Sequence, residues 1–160
     1  MGETIVVNMG EVKEKPVLAK GVYTFTFKDS KAFLVRSKNK SDWIGLQGII
    51  VPEGFPDDAF TIWLAANKTM TSGIDTKKFL RGLGFTVEGA TAVQLGGELA
   101  VPGEDGKVNA ATAPQAQLQI EGRPPFPVGF LKFRGETILE TNKDDGRQQP
   151  RLNSVLGRVA

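Results

Sequence analysis

Apolar and polar residues alternate in short runs along most of this chain, which is the period of half-buried strands. After Gly21, the run Val22-Tyr23-Thr24-Phe25-Thr26-Phe27 predicts a strand over Val22–Lys28 with Tyr23, Phe25 and Phe27 on one face. Phe33-Leu34-Val35 predicts a small strand between turns, and Trp43–Val51 another, with Trp43 at its mouth. Gly45 and Gly48 in the latter mark a bulge or bend of the kind that lets a small sheet curl. In Phe60–Ala65, Ile62 and Leu64 alternate with Thr61 and Trp63. Strand signals resume at Ala92–Val101, interrupted by Gly96-Gly97, and again at Ala116–Ile120 and Gly129–Phe133. The proline-stiffened Arg123–Pro127 lies between the last two and suits a sheet edge.

Helical spacing occurs once. From Ile74 to Leu83 the residues Ile74, Phe79, Leu80 and Leu83 gather on one side, and Lys77, Lys78 and Arg81 lie outside. Ser72 or Asp75 supplies the cap, and Gly82 and Gly84 end the helix. Ile5-Val6-Val7 is able to add an edge strand, but Glu11–Pro16 is polar and ends in a breaker, so residues 1–18 read as an arm. Residues 19–140 read as a barrel domain and 141–160 as a basic tail carrying Lys143, Arg147, Arg151 and Arg158. Gly103–Pro114 reads as a mobile loop. The expected fold is mostly β: a curled antiparallel sheet, or a five-stranded barrel, with one short α-helix and flexible termini.

Composition narrows the chemistry. At 160 residues the chain suffices for one domain with a real core. It has no cysteine, which removes disulfides and thiolate catalysis, and no histidine, which excludes Ser-His-Asp hydrolysis and argues against zinc catalysis. The acidic pairs Asp57-Asp58 and Asp144-Asp145 are neighbours in sequence, so on a strand they point to opposite faces. No enzyme, metal or cofactor is expected. No segment approaches the roughly 18 apolar residues that span a bilayer, and no signal sequence opens the chain, so an intracellular protein without a membrane partner is expected.

Net charge is only +2, so a polyanion surface has to come from clustering. The densest cluster runs Lys28, Lys31, Arg36, Lys38 and Lys40 against the single acid Asp29, with aromatics before it and Trp43 after it. Cations that hold phosphates beside rings that stack unpaired bases are what a single strand of nucleic acid needs. The candidate stackers are Tyr23, Phe25, Phe33, Trp43 and Trp63. The candidate phosphate contacts are Lys28, Lys31, Arg36, Lys38, Lys40, Lys77, Lys78 and Arg81. The same alternation also fits a core face with lysines that only keep a loop soluble, the simpler reading of this stretch taken alone, and Tyr23 and Phe25 must share one fate or the other.

Three features together resemble phage-encoded single-stranded-DNA-binding proteins built on an oligonucleotide/oligosaccharide-binding (OB) barrel. They are Gly21-Val22-Tyr23 followed by the Ser/Lys-rich turn Ser30-Lys31, Ser37-Lys38, Ser41; the helix closing Lys78-Phe79-Leu80-Arg81-Gly82-Leu83-Gly84-Phe85; and Leu95-Gly96-Gly97-Glu98-Leu99 with Asp145-Gly146-Arg147 and Asn153 downstream. The resemblance spans residues 17 to 155 and implies sequence-tolerant binding of single-stranded DNA in phage replication or recombination, in the host cytoplasm. Replication or recombination proteins and a homo-oligomer stay open as further partners. Bacterial-type single-strand binders end in an acidic peptide that recruits partners; this chain ends Gly157-Arg158-Val159-Ala160, so that route is not expected. The alternative is a non-enzymatic phage capsid or tail component with a β-sandwich.

Overall fold

A computed structural model describes residues 2–8, 17–40 and 42–159; Glu11–Pro16 and Ser41 lie outside the described residues. The aromatic alternation and the short run after it belong to one long strand, β1 (Gly21–Arg36). Phe25 and Phe27 are buried in its first half. Asp29 and Ser30 then adopt left-handed φ of 55° and 52°, and the pairing slips, Phe27 facing Ile50 while Ala32 faces Gly48. This bulge changes the parity of the strand. Odd-numbered residues point inward before it; after it Ala32 and Leu34 point inward, and Phe33 and Val35 point outward into a separate cluster.

A bulge frees backbone groups, and these need partners. Gln115 supplies them: its Nε2 donates to the Ser30 carbonyl (2.7 Å), and its Oε1 accepts from Ala32 N (2.8 Å) and Gly129 N (3.2 Å). Gly129 lies so close to the Ser30 carbonyl that any side chain there would collide with it.

β2 (Ile44–Pro52) and β3 (Phe60–Ala65) flank one edge of β1, and β7 (Lys132–Thr141) and β8 (Gln148–Arg158) the other, giving the antiparallel order β3-β2-β1-β7-β8. A short helix, α1 (Thr76–Gly82), follows β3 and sits under the sheet. A curled five-stranded sheet with the helix after the third strand is OB-like, and the barrel stays open between β3 and β8. The helix begins at Asp75, not Ser72. Asp75 is buried and fully engaged, Oδ1 accepting from Lys78 N and Oδ2 from Met70 N, both at 2.8 Å. Phe79 enters the core edge-on to Phe133 (5.2 Å between ring centres), and Gly82 makes room for the β8 backbone at Val155. Full burial of each such ring contributes about 1.5–3 kcal/mol.

Three expectations change here. The basic tail from Thr141 is a hairpin and the edge strand β8. It went unread because only Leu152 and Val155 are buried in it, three apart across a register shift, and because Pro150 is tolerated at an edge. The glycines of β2 make no bulge in its pairing with β3. Each clears space for a ring, Gly48 for Phe27 on the inside and Gly45 for Trp63 on the outside. Gly103–Pro114 is a folded wall: Ala100 and Ala113 close on Phe33 and Val35, with Val108 and Ala110 packed against them.

The remaining segment between α1 and β7 carries a small sheet of β4 (Gln94–Gly96), β5 (Gln117–Gln119) and β6 (Phe126–Pro127), where longer strands were expected. A 3₁₀ turn at Val128–Phe130 occupies the start of the expected Gly129–Phe133 strand. Gly2–Asn8 is exposed and outside both sheets.

Candidate nucleic-acid interface

Antiparallel register brings Phe33, Gln47 and Trp63 into one row across β1, β2 and β3, with Ile49 and Thr61 in the next, all on the outer face. Phe33 is only 4% exposed because the 97–116 segment covers it, whereas Trp63 is 36% exposed. Trp63 lies against Gly45, where any Cβ would run into the indole. One face of the ring is therefore backed by main chain. A groove of about 540 Å³ runs over this surface, walled by Pro102–Val108 on one side and reaching Lys38.

Two turns place cations on its rim. The β1–β2 turn is pinned by Ser37 N to Trp43 O and Trp43 N to Lys40 O, both 2.9 Å. Asn67, just beyond β3, braces it, accepting from Ile44 N (2.8 Å) and donating to Asp42 O (2.7 Å). The Lys40 ammonium stands 4.8 Å above the Trp43 ring, a cation–π contact. Opposite, Gly103–Lys107 closes on itself, with Gly103 N to Lys107 O at 2.9 Å. Asp105 turns its carboxylate onto Lys107 N (3.0 Å), and Lys38 Nζ lies beside Gly106.

The structure divides the candidate residues. Phe25 is fully buried and cannot stack a base, and Phe33 is sealed under Ala100 and Ala113. Tyr23 follows Phe25 toward the core. It is half-buried at the opposite end of β1 from the basic turn, its hydroxyl donating to Ala19 O (2.6 Å) and its ring edge-on to Phe55. Trp43 and Trp63 remain accessible. Among the cations, Arg36 and Lys38 line the groove, Lys40 stands over Trp43 in the same turn as Lys38, and Lys28 is exposed at the bulge. Lys31 instead ties down the wall, donating to Ala113 O at 2.8 Å.

The helix cations are committed elsewhere. Lys77 and Arg81 converge on Glu88 at 2.9 and 2.6 Å, and Lys78 Nζ caps the carbonyls of Met70 and Gly73. The hydrogen bond from Lys77, with the charges of Lys77 and Arg81, holds the exposed Glu88 carboxyl below the usual carboxylate range. No phosphate track joins helix and loop through these groups.

Sequence reasoning missed Gln47, Ile49, Thr61 and Lys107. The first three were recoverable, since β2 and β3 alternate without interruption and Leu46 and Leu64 mark the inner face. Lys107 was not, because nothing in a Gly/Ala/Asn-rich stretch says which strand it folds over. Comparisons with protein-family models, with curated proteins and with solved structures find no match.

Proposed function

We propose that this protein binds single-stranded DNA, largely without regard to sequence, across the outer face of β1, β2 and β3. The observation that carries the reading is Trp63: an indole backed by Gly45 and open on its other side, in a groove between two lysine-bearing turns. An OB-like sheet presents this face to oligonucleotides. A stacked ring accepts any base, and Lys38, Lys40, Lys107 and Arg36 offer charge to the backbone. The setting, phage replication or recombination, rests on the motif resemblance alone.

Titration with fluorescent oligo-dT tests this. Affinity should fall linearly with salt on a log–log plot, with a slope of up to about 3 for four phosphate contacts, at about 0.7 each. Oligo-dT should also bind more tightly than a duplex of equal length. A salt-independent affinity, or equal affinity for the two forms, overturns the reading. Failure to bind either also overturns it and leaves a structural component as the alternative reading.

Replacing Lys38, Lys40 and Lys107 together with Gln separates charge from fold. The slope should shrink by about 2, and affinity should drop alike for every sequence, because phosphate contacts carry no base information. Melting should barely move, since exposed charges of this kind contribute about 0.5 kcal/mol or less each. A triple variant that binds like the parent removes both turns from the site.

A further inference from the structure

We propose that the cleft between the 123–130 loop and the end of β8 docks a short acidic segment of a partner protein, with one bulky apolar side chain inside and its carboxylates on Arg123, Lys132 and Arg158. The inference does not rest on the nucleic-acid reading. The cleft has a volume of about 730 Å³ and shares no lining residue with the groove beside Trp63. That volume lies in the range of sites for drug-sized ligands, which is the size of a few peptide residues.

Proline and turn chemistry open the cleft. β5 is followed by a turn in which Arg123 N bonds Ile120 O at 3.0 Å, and Pro124-Pro125 then has no N–H to give to a ladder. Pairing with β5 resumes only at Phe126, opposite Leu118. The 3₁₀ turn at Val128–Phe130 buries Val128 and turns Phe130 outward. Phe126 and Phe130 stand edge-on, 6.5 Å between ring centres, and are 41% and 62% exposed. A lone exposed ring is ordinary, but two rings beside an apolar hollow form a patch that marks a contact surface. The prolines stiffen this side of the cleft, so a ligand has little left to order.

The lining decides the occupant. Leu118 and Leu131, both buried, lie beneath the cleft, with Ile120 and Phe85 beside them. Apart from Arg123, Lys132 and Arg158, every lining side chain is apolar, and no acid is among them. Arg158 is held in place: its Nε donates to Leu83 O (3.1 Å), and its guanidinium lies 4.3 Å from the Phe85 ring centre. None of the three cations has an ion-pair partner among the described residues.

Such a lining selects a ligand that is apolar in one part and anionic in another. An acidic peptide with a Phe or Leu meets both demands. Its apolar side chain fills the hollow with no polar group to satisfy, and its carboxylates accept charge-assisted hydrogen bonds from the guanidinium and ammonium groups. A single strand of nucleic acid has the charge but suits the interior less well. No neutral polar side chain lines the cleft, so the donor and acceptor edge of a buried base would go unpaired.

The probe is a fluorescein-labelled peptide, Glu-Asp-Glu-Phe-Leu-Glu-Asp, titrated with the full chain and read by anisotropy. It should bind, and a version with Ser in place of its Phe and Leu, or with Gln and Asn in place of its acids, should bind about fivefold or more weakly. Phe130→Ala, which removes an exposed ring, should weaken the parent peptide by a similar factor and leave oligo-dT titration as it was. Arg123→Ala/Lys132→Ala should weaken the peptide too, and supplies the same test should Phe130→Ala fold poorly. Lys38→Gln/Lys40→Gln/Lys107→Gln should bind the peptide like the parent, which separates cleft from groove whether or not the groove takes DNA. No peptide binding, equal binding of the Ser version, or a loss confined to the groove variant overturns the proposal. So does a Phe130→Ala variant that loses oligo-dT affinity as steeply as peptide affinity, because the cleft would then be a nucleic-acid surface.

Discussion

Phe25→Ala is expected to destabilise the protein by about 3–5 kcal/mol while leaving the DNA affinity of the folded molecules unchanged. The ring is fully buried, 5.6 Å from Phe133 and 5.9 Å from Phe60, and Gly135 has no side chain where the ring passes. Its removal leaves a cavity that the surrounding aromatics cannot collapse into, since Phe27, Phe79 and Phe133 are already wedged against one another. Against a total stability of about 5–15 kcal/mol, this is a large fraction. In a chain of this size it corresponds to a fall in Tm of about 6–20 °C. Thermal and urea unfolding measure it, and oligo-dT titration at a temperature where the variant is folded measures the rest. If affinity fell while the fold held, Phe25 would belong to the site and not the core.

That distinction shows where sequence reading stops. Alternation in Val22–Phe27 correctly placed three rings on one face, but a face has no label until something is packed on it. The label came from Phe79 and Phe133, far away in the chain, which enter between the sheet and α1. The bulge at Asp29-Ser30 was illegible for a different reason. Neither residue is a glycine, so nothing announced the left-handed backbone, and extending the odd-numbered face across it would have grouped Phe33 with Phe25. In the structure the two rings lie on opposite faces of the sheet.

The antiparallel curled sheet and its one helix were readable because β2, β3 and α1 obey their periods throughout. β8 does not, and it was read as a tail. Charge misled in a similar way. Lys31, Lys77, Lys78 and Arg81 count as cations in any composition, yet each has an internal partner, while the isolated Lys107 is brought to the groove by the fold of its loop.

Trp63→Ala is expected to weaken binding of single strands by about 1–3 kcal/mol, which is about 5- to 150-fold in Kd. Trp43→Ala should cost less. Lys40 already stands over that ring, so a base stacking there first displaces a cation–π contact worth about 0.5–1 kcal/mol. Gly45→Ala tests the geometry and not merely the presence of the ring. A methyl group at Gly45 would push the indole off its bed, so affinity should fall although both tryptophans remain. Trp63→Phe, which keeps a smaller flat ring, should recover part of the loss.

The optical readout is direct, since Trp43 and Trp63 are the chain's two tryptophans. In a Trp43→Phe variant Trp63 is the sole indole, and stacking of a thymine on it should quench its emission in step with oligo-dT binding. Quenching that saturates with the affinity measured by anisotropy places the base on the ring. Undiminished affinity in both Trp63→Ala and Gly45→Ala, with no quenching, would mean that the indole merely roofs Gly45, and the outer face of β1, β2 and β3 would cease to be the site.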